Sequence, residues 1–296
     1  MSKSSPIDSN SVVPTRRKHR TLHSLERKMD AAAVVSAAAS SGQPAATPPL
    51  AGRVAIVTGA SRGIGRAIAA HLSALGASVV VGYASSTAEA DALAAELPRS
   101  VAVKADVADE SGVRSLFDAA ESAFGAGAPH IVVANAAVLD DKYPTLADTA
   151  TADFDRTFAV NTRGAFLCLR EAANRLPRGG GGGGRIVAIT SSVVGSHPTG
   201  YSAYTASKAA VEAMVRTMAK ELKGTRITAN CVAPGATATD MFFAGKSEER
   251  VEGIKATNPM ERLGEVGDIA PVVGFLCTDA AEWVNGQVIR VNGGYV

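Results

Sequence analysis

Short, mostly apolar runs recur along the chain, and between them apolar residues return every three or four positions. The runs are Val54-Ala55-Ile56-Val57, Val79-Val80-Val81, Val101-Ala102-Val103, Ile131-Val132-Val133, Arg185 to Ile189, Ile227 to Val232 and Gln287 to Val291. The unbroken ones predict strands covered on both faces, and Ile227 to Val232 and Gln287 to Val291, which carry polar residues, read as strands as well. The intervening pattern predicts helices. Ile68, Leu72 and Leu75 mark one, ending near Gly76; Val113, Leu116, Phe117 and Phe124 mark another. Phe154, Phe158, Val160, Phe166 and Leu169 mark a third, between about Asp153 and Leu176, with Asn161 embedded in it. Val211, Met214, Val215, Met218 and Leu222 mark a fourth, and a last helix runs from Asp268 to about Leu276. Strands alternating with helices imply an α/β fold, a doubly wound parallel sheet of about seven strands with helices on both faces. Nothing marks a break after residue 52, so a single domain is expected over 52–296.

The pattern fails before that point. Residues 1–51 are rich in Ser, Ala, Pro and Arg and lack a sustained apolar period, which predicts a disordered extension. Its Ala-dominated stretch, Ala31 to Ser41, is far shorter than the ~20 apolar residues a membrane span needs, so no membrane is expected. Low acidity with Arg and Ser resembles a plastid or mitochondrial transit peptide, whereas a start at Met29 would leave only a small Ala-rich tail. The expected location is cytoplasmic, or the plastid stroma if residues 1–50 act as a transit peptide. Charge divides at the same place. Net charge is +2, yet residues 1–28 hold seven cations against Asp8 and Glu26, so the rest of the chain is mildly acidic. A nucleic-acid binder carries its basic excess on the folded part, and no nucleic-acid partner is expected here. Cys168, Cys231 and Cys277 are too few and too scattered for a disulfide framework, which points to a reducing compartment. No CxxC or His cluster suggests a metal. The glycines 179–184 read as a connector, with no phosphate-loop Lys after them.

Candidate chemistry gathers at strand ends. Directly after the first run comes Thr58-Gly59-Ala60-Ser61-Arg62-Gly63-Ile64-Gly65, and then the first helix. In such a strand, turn, helix and strand unit, Gly59 permits a tight turn, Gly63 lets the backbone approach a pyrophosphate, and Gly65 lets helix and strand pack closely. The spacing differs from the Gly-x-Gly-x-x-Gly fingerprint but shares its logic; a glycine-rich turn without a ligand is the rival. After the second run, Gly82-Tyr83-Ala84-Ser85-Ser86 offers neutral donors where an NAD binder places a carboxylate for the ribose. Arg62 can meet a 2′-phosphate. Together these favour NADP(H), with a solvated loop cation as the alternative for Arg62. Farther on, Tyr204 and Lys208 stand four apart on a predicted helix, one above the other. A phenol titrating near ~10 exchanges protons poorly at neutral pH, and an adjacent ammonium stabilises its phenolate.

Thr58 to Gly65, Asn135-Ala136-Ala137, Asn161, Ser192, Tyr204-x-x-x-Lys208 and Pro234-Gly235, in this order, resemble the short-chain dehydrogenase/reductase family over about residues 52–296. Asn285-Gly286-Gln287 and Val291-Asn292-Gly293-Gly294 are similar to its closing strand and tail. Within the family, Asn161 to Phe166 and Tyr204 to Lys223 most resemble plant NADPH-dependent aldehyde reductase-like proteins. The resemblance implies a Rossmann-type domain, NADP(H), a homodimer or homotetramer, and reduction of a small-molecule carbonyl. It implies that Tyr204 gives a proton to the carbonyl oxygen while NADPH gives hydride to the carbon. Lys208 would lower the Tyr204 pKa and bind the nicotinamide ribose, Ser192 would hydrogen-bond the carbonyl oxygen, and the Asn161 amide would hold a water of the proton relay. The implied cofactor contacts are Gly59, Ser61, Arg62, Gly63, Ile64, Gly65, Tyr83, Ser85, Ser86, Asp106, Val107, Asn135, Ala136, Ala137, Tyr204, Lys208, Pro234, Gly235, Thr237 and Thr239. Asp106 and Val107 match the adenine side, and Thr239 the nicotinamide carboxamide.

Two departures bear on the site. Ala137 stands where the family commonly has glycine, adding a methyl group near the cofactor. Many relatives place the Ser thirteen positions before the Tyr, which gives Ser191; alignment on Val193-Val194-Gly195 gives Ser192. The strand end and Gly195 favour Ser192, with Ser191 as the alternative, since adjacent strand residues face opposite ways. Met241, Phe242 and Phe243, with His197, Pro198 and Tyr201, either line an apolar pocket or serve as core or subunit contacts. The expected activity is reduction of aldehydes or other reactive carbonyls. A 3-oxoacyl-[acyl-carrier-protein] reductase is the alternative, although no basic docking patch for an acidic carrier is legible. A catalytically idle nucleotide-binding scaffold is disfavoured by the intact Asn161, Ser192, Tyr204 and Lys208.

Overall fold

The computed structural model describes residues 47–125, 127–179 and 183–296. The expected disordered extension, the Met29 start and the glycines 180–182 lie outside the described residues. The packed chain begins slightly before residue 52: Leu50 is fully buried and its N–H donates to the Leu75 carbonyl at 2.9 Å.

Seven strands form one sheet: β1 (Val54–Val57), β2 (Ser78–Tyr83), β3 (Ser100–Lys104), β4 (Ile131–Ala134), β5 (Arg185–Ile189), β6 (Thr228–Pro234) and β7 (Val288–Val291). Their order is β3-β2-β1-β4-β5-β6-β7, and every pairing is parallel. The helices are α1 (Gly63–Ala74), α2 (Thr87–Glu96), α3 (Glu110–Ala123), α4 (Thr151–Phe158), α5 (Ala165–Arg175), α6 (Val193–Ser196), α7 (Ser202–Glu221), α8 (Asp240–Phe243), α9 (Glu248–Thr257) and α10 (Val266–Cys277). Between α4 and α5 the segment Ala159–Gly164 is π-helical.

Strand alternation explains the unbroken apolar runs. Ala55 and Val57 face one core with Val79, Val81 and Val133, against Ile68 and Leu72 of α1 and Ile269, Val273 and Leu276 of α10. Val54 and Ile56 face the other, with Val80, Val132 and Ile186, against Leu116 and Phe117 of α3, Leu169 of α5 and Val211 and Val215 of α7. Both faces are covered, so neither register of β1 can be polar. Complete burial of a Leu or Ile such as Leu72 or Ile269 contributes about 1.5–3 kcal/mol relative to exposure. The chain runs outward from β1 to β3, then returns to place β4 on the other side of β1. That reversal opens a crevice at the carboxyl ends of β1 and β4, where open α/β sheets bind ligands.

At the amino-terminal ends of the strands, a different device joins sheet and helix. Arg53, beside β1, and Arg185, at the start of β5 and fully buried, donate to the same Asp279 oxygen at 2.6 and 2.9 Å. Asp279 follows α10 directly, so its carboxylate ties the end of that helix to two central strands.

Candidate active site

The crevice is tied by one threonine and one asparagine. Thr58 Oγ1 accepts from the N–H groups of Asn135 and Ala136, both at 3.0 Å, while Asn135 Nδ2 donates to the carbonyls of Thr58 and Gly59 at 2.9 and 3.1 Å. The turn into α1 then needs glycine for two separate reasons. Gly59 has φ +62°, in the left-handed region, and a Cβ at Gly65 would lie 2.2 Å from the Gly59 carbonyl oxygen. This close approach sets the first turn of α1, with its unpaired N–H groups, against the crevice.

A cleft of about 780 Å³ runs from that turn to Tyr204. Of the expected cofactor contacts, Gly59, Ser61, Arg62, Gly63, Ile64, Ser85, Ser86, Asp106, Val107, Asn135, Ala136, Ala137, Tyr204, Lys208, Pro234, Gly235, Thr237 and Thr239 line it. Two do not. Gly65 packs behind the turn, on Gly59. Tyr83 shares a strand face with Val79 and Val81 and packs with them in the core, so the two-residue period of β2 carries it away from the cleft. Arg62 is well exposed, and its nearest carboxylate, the equally exposed Asp240, is 3.9 Å away, too loose a pair to hold it. Thr239 Oγ1 caps α8 by accepting from the Phe242 N–H at 3.3 Å.

Tyr204 and Lys208 lie one turn apart on α7, and the Lys208 Nζ is 5.8 Å from the Tyr204 ring centre. Lys208 is buried, and its Nζ donates to the Ile189 carbonyl at the end of β5 at 2.8 Å. Burial holds its ammonium down to about 8. The low polarity around the Tyr204 hydroxyl pushes the phenol up to about 12, with the neighbouring Tyr201 adding to the rise and a hydrogen bond with Ser191 opposing it. The expected lowering of the Tyr204 pKa by Lys208 does not appear, because burial of the hydroxyl dominates. At neutral pH Tyr204 is a protonated donor.

Ser191 and Ser192 both line the cleft and differ in their hydrogen bonds. Ser192 Oγ donates to the Ala233 carbonyl at 3.0 Å and accepts from Asn292 Nδ2 at 3.0 Å, and the residue is 2% exposed. Its hydroxyl is committed to β6 and the C-terminal tail. Ser191 is less buried, and its hydroxyl is the one that acts on the Tyr204 phenol, opposing the rise. The Asn161 amide is also committed. Its Oδ1 accepts from the Val138 N–H at 2.8 Å, and its Nδ2 donates to the Val138 carbonyl at 2.9 Å and to Ser207 Oγ at 3.1 Å. Ser207 Oγ in turn donates to the Tyr204 carbonyl at 2.7 Å. Asn161 thus clamps the chain after β4 to α7, and the π-helical turn that carries it turns the residue inward. Neither donor of the amide is left for a relay water.

On the substrate side, Pro198, Tyr201, Met241 and Phe242 line the cleft, whereas His197 and Phe243 do not. Leu139, Arg156, Lys246, Arg250 and Tyr295 line it as well and were not anticipated. Of these, only Lys246 and Arg250, two cations four positions apart, carried any signal in the sequence.

Residues 59–296 match the family described as enoyl-(acyl carrier protein) reductase. With the glycine turn, the Tyr-Lys helix and the strand order already placed, that match over most of the chain decides the family. The chain belongs to the short-chain dehydrogenase/reductase family. An NADPH-dependent aldehyde reductase-like protein, chloroplastic, of Arabidopsis thaliana is 59% identical over 84% of this chain and 96% of its own length. The NADPH-dependent aldehyde reductase 2, chloroplastic, of the same plant is 55% identical over 87% of this chain and 98% of its own. Among solved structures, a short-chain dehydrogenase from Burkholderia cenocepacia in complex with NADP superposes with a TM-score of 0.77 at 35% identity, covering 83% of this chain and 99% of that one.

Proposed function

We propose that this short-chain dehydrogenase/reductase is an NADPH-dependent reductase of aldehydes and other reactive carbonyls. The observation that carries the reading is one continuous cleft, with a glycine-built helix start at one end and a protonated Tyr204, bonded to Ser191 and one turn from Lys208, at the other. The names of the two Arabidopsis relatives and of the NADP complex support it. NADPH supplies hydride to the carbonyl carbon. Tyr204 donates its proton to the carbonyl oxygen, and its raised pKa keeps that proton available at neutral pH. Ser191 takes the polarising role first expected of Ser192, because its hydroxyl stands beside that of Tyr204. Lys208 keeps a positive charge near the phenolate that forms, and Asn161 positions α7. Ser85, Ser86 and the loosely paired Arg62 suit a 2′-phosphate, and the glycine turn suits the pyrophosphate.

The test is a panel of aldehydes, ketones and oxoacyl thioesters with NADPH and NADH. Aldehydes should be reduced with NADPH preferred. The family description gives the 3-oxoacyl reductase alternative a place in that panel, and turnover confined to thioesters would favour it. Absence of turnover throughout would leave a nucleotide-binding scaffold. Arg62→Ala should weaken NADPH more than NADH, and equal losses would remove Arg62 from the 2′-phosphate site.

The relatives' chloroplastic location supports residues 1–46 as a plastid transit peptide rather than the cytoplasmic expectation, with the catalytic domain beginning a few residues later. N-terminal sequencing of the native protein checks this. Exposed Phe154, Phe166 and Trp283 support assembly into a homodimer or homotetramer, which light scattering of the purified protein checks. No described helix is long and apolar enough to cross a membrane.

A further inference from the structure

A row of aromatic rings leads from the reacting hydroxyl to a pair of cations. The Tyr201 ring lies 6.4 Å from that of Tyr204, and the Tyr143 ring 5.0 Å from that of Tyr201. Lys246 Nζ sits 4.4 Å from the Tyr143 ring centre, 4.6 Å from that of Phe242 and 5.9 Å from that of Tyr201, and the Arg250 guanidinium lies 4.5 Å over Tyr143. Lys246, Arg250 and Arg156 all line the cleft. Lys246 Nζ donates to the Tyr143 hydroxyl and the Phe242 carbonyl, so its remaining N–H has no acceptor among the described residues.

No carboxylate pairs with the half-buried Lys246, or with the exposed Arg250 and Arg156, among the described residues, whereas the half-buried Arg175 and the fully buried Arg185 each hold one. Asp240, which also lines the cleft, faces Arg62, and Glu248 and Glu249 on α9 are exposed and do not line it. Burial and the neighbouring Arg250 hold the Lys246 ammonium down to about 8, a cost that a bound anion would offset. A merely structural strut is poorly motivated at this place. The segment is already fastened by the Tyr143 hydroxyl, which donates to the Ala244 carbonyl at 2.9 Å, and by Gly245, whose missing Cβ would lie 1.9 Å from the Asp141 carbonyl oxygen. Aromatic rings around an ammonium also keep it desolvated without neutralising it.

We propose that Lys246, supported by Arg250, receives a carboxylate at the far end of a carbonyl substrate whose reacting end lies at Tyr204. The enzyme thereby selects ω-oxo carboxylates over neutral aldehydes of equal length. This inference rests on the aldehyde-reductase reading above. The carboxylate takes no part in the reaction: the carbonyl carbon gains hydride from NADPH, the oxygen gains the Tyr204 proton, and an ω-hydroxy carboxylate and NADP⁺ leave.

The experiment measures kcat/KM for matched pairs, such as 9-oxononanoate and nonanal, in the wild type, Lys246→Met, Lys246→Arg and Arg250→Gln. The wild type should favour the acid by about tenfold or more, as a charge-assisted contact gives. Lys246→Met should bring the ratio to about one through the KM of the acid, Lys246→Arg should keep most of it, and Arg250→Gln should reduce it. The ratio separates charge recognition from a structural defect, which lowers both rates together. A wild-type ratio at or below one overturns the proposal, even if the Met variant fails to fold, and so does a ratio that survives in Lys246→Met. Turnover of nonanal without preference removes the charge selection and leaves the reductase reading standing; turnover of neither compound removes both.

Discussion

The proposed function assigns chemistry to Ser191 and architecture to Ser192. Ser191→Ala removes a hydroxyl that faces the reacting oxygen, and kcat should fall by about 100-fold or more with little change in stability. Ser192→Ala instead leaves the Ala233 carbonyl and Asn292 short of a buried partner, and should cost about 1–3 kcal/mol in urea unfolding with a smaller kinetic effect. The reverse pattern would restore Ser192 to the reacting group. Lys208 adds a pH dependence. With its ammonium held down to about 8, it is charged at neutral pH and loses its charge as pH rises through that value. The kcat/KM for reduction should therefore decline above about pH 8, and a profile flat to pH 10 would separate Lys208 from the phenolate. Tyr204 and Lys208 were legible because helical spacing fixes their relation, whatever surrounds them. The serine was not, because counting back from Tyr204 and aligning on Val193-Val194-Gly195 select adjacent residues, whose hydroxyls find different partners in the fold. Asn161 was legible as a position but not as a clamp, since its partners Val138 and Ser207 lie 23 and 46 residues away.

At the scale of elements, apolar runs located the strands, most plainly β1, β2 and β4, where burial on both faces leaves no alternative composition. The helices were less evenly legible. α2 is built of Ala, Thr and acidic residues and buries only Ala90 and Leu93, so it has almost no apolar face to detect. α8 and α9 follow Pro234 in a stretch where Phe243 and Met241 are exposed, and Met241, Phe242 and Ile254 line the cleft while only Val251 is buried. The π-helical segment was hidden because it interrupts a continuous apolar period without a Pro or Gly at its start. The glycine turn gives the element-scale prediction. Gly65→Ala would force α1 away from Gly59, destabilising the protein by about 1–3 kcal/mol and weakening NADPH binding. Isothermal titration beside thermal unfolding checks both, and unchanged NADPH affinity would detach the close packing of Gly65 from the cofactor end of the cleft.

Across the whole molecule, the parallel sheet brings its chemistry to the carboxyl ends of the strands and places its fastening at the other. Asp279 holds Arg53 and the fully buried Arg185, and the hydrogen bond from Arg53 keeps its carboxyl below the usual carboxylate range. A depressed carboxyl contributes stability that is present above its unfolded pKa and lost as pH falls through its folded one. Asp279→Asn should thus cost about 1–3 kcal/mol near neutral pH, and the gap in urea midpoints should close in acid. This network was invisible in the sequence because its three members come from three distant segments. The cleft at the opposite end carries the central claim, that Tyr204 protonates a carbonyl which NADPH reduces. The most direct measurement is NADPH oxidation by purified wild type and Tyr204→Phe with a medium-chain aldehyde, together with NADPH binding by titration. The wild type should turn over and the Phe variant should bind NADPH nearly as well while losing turnover; a Phe variant that reduces the aldehyde at the wild-type rate would contradict the account.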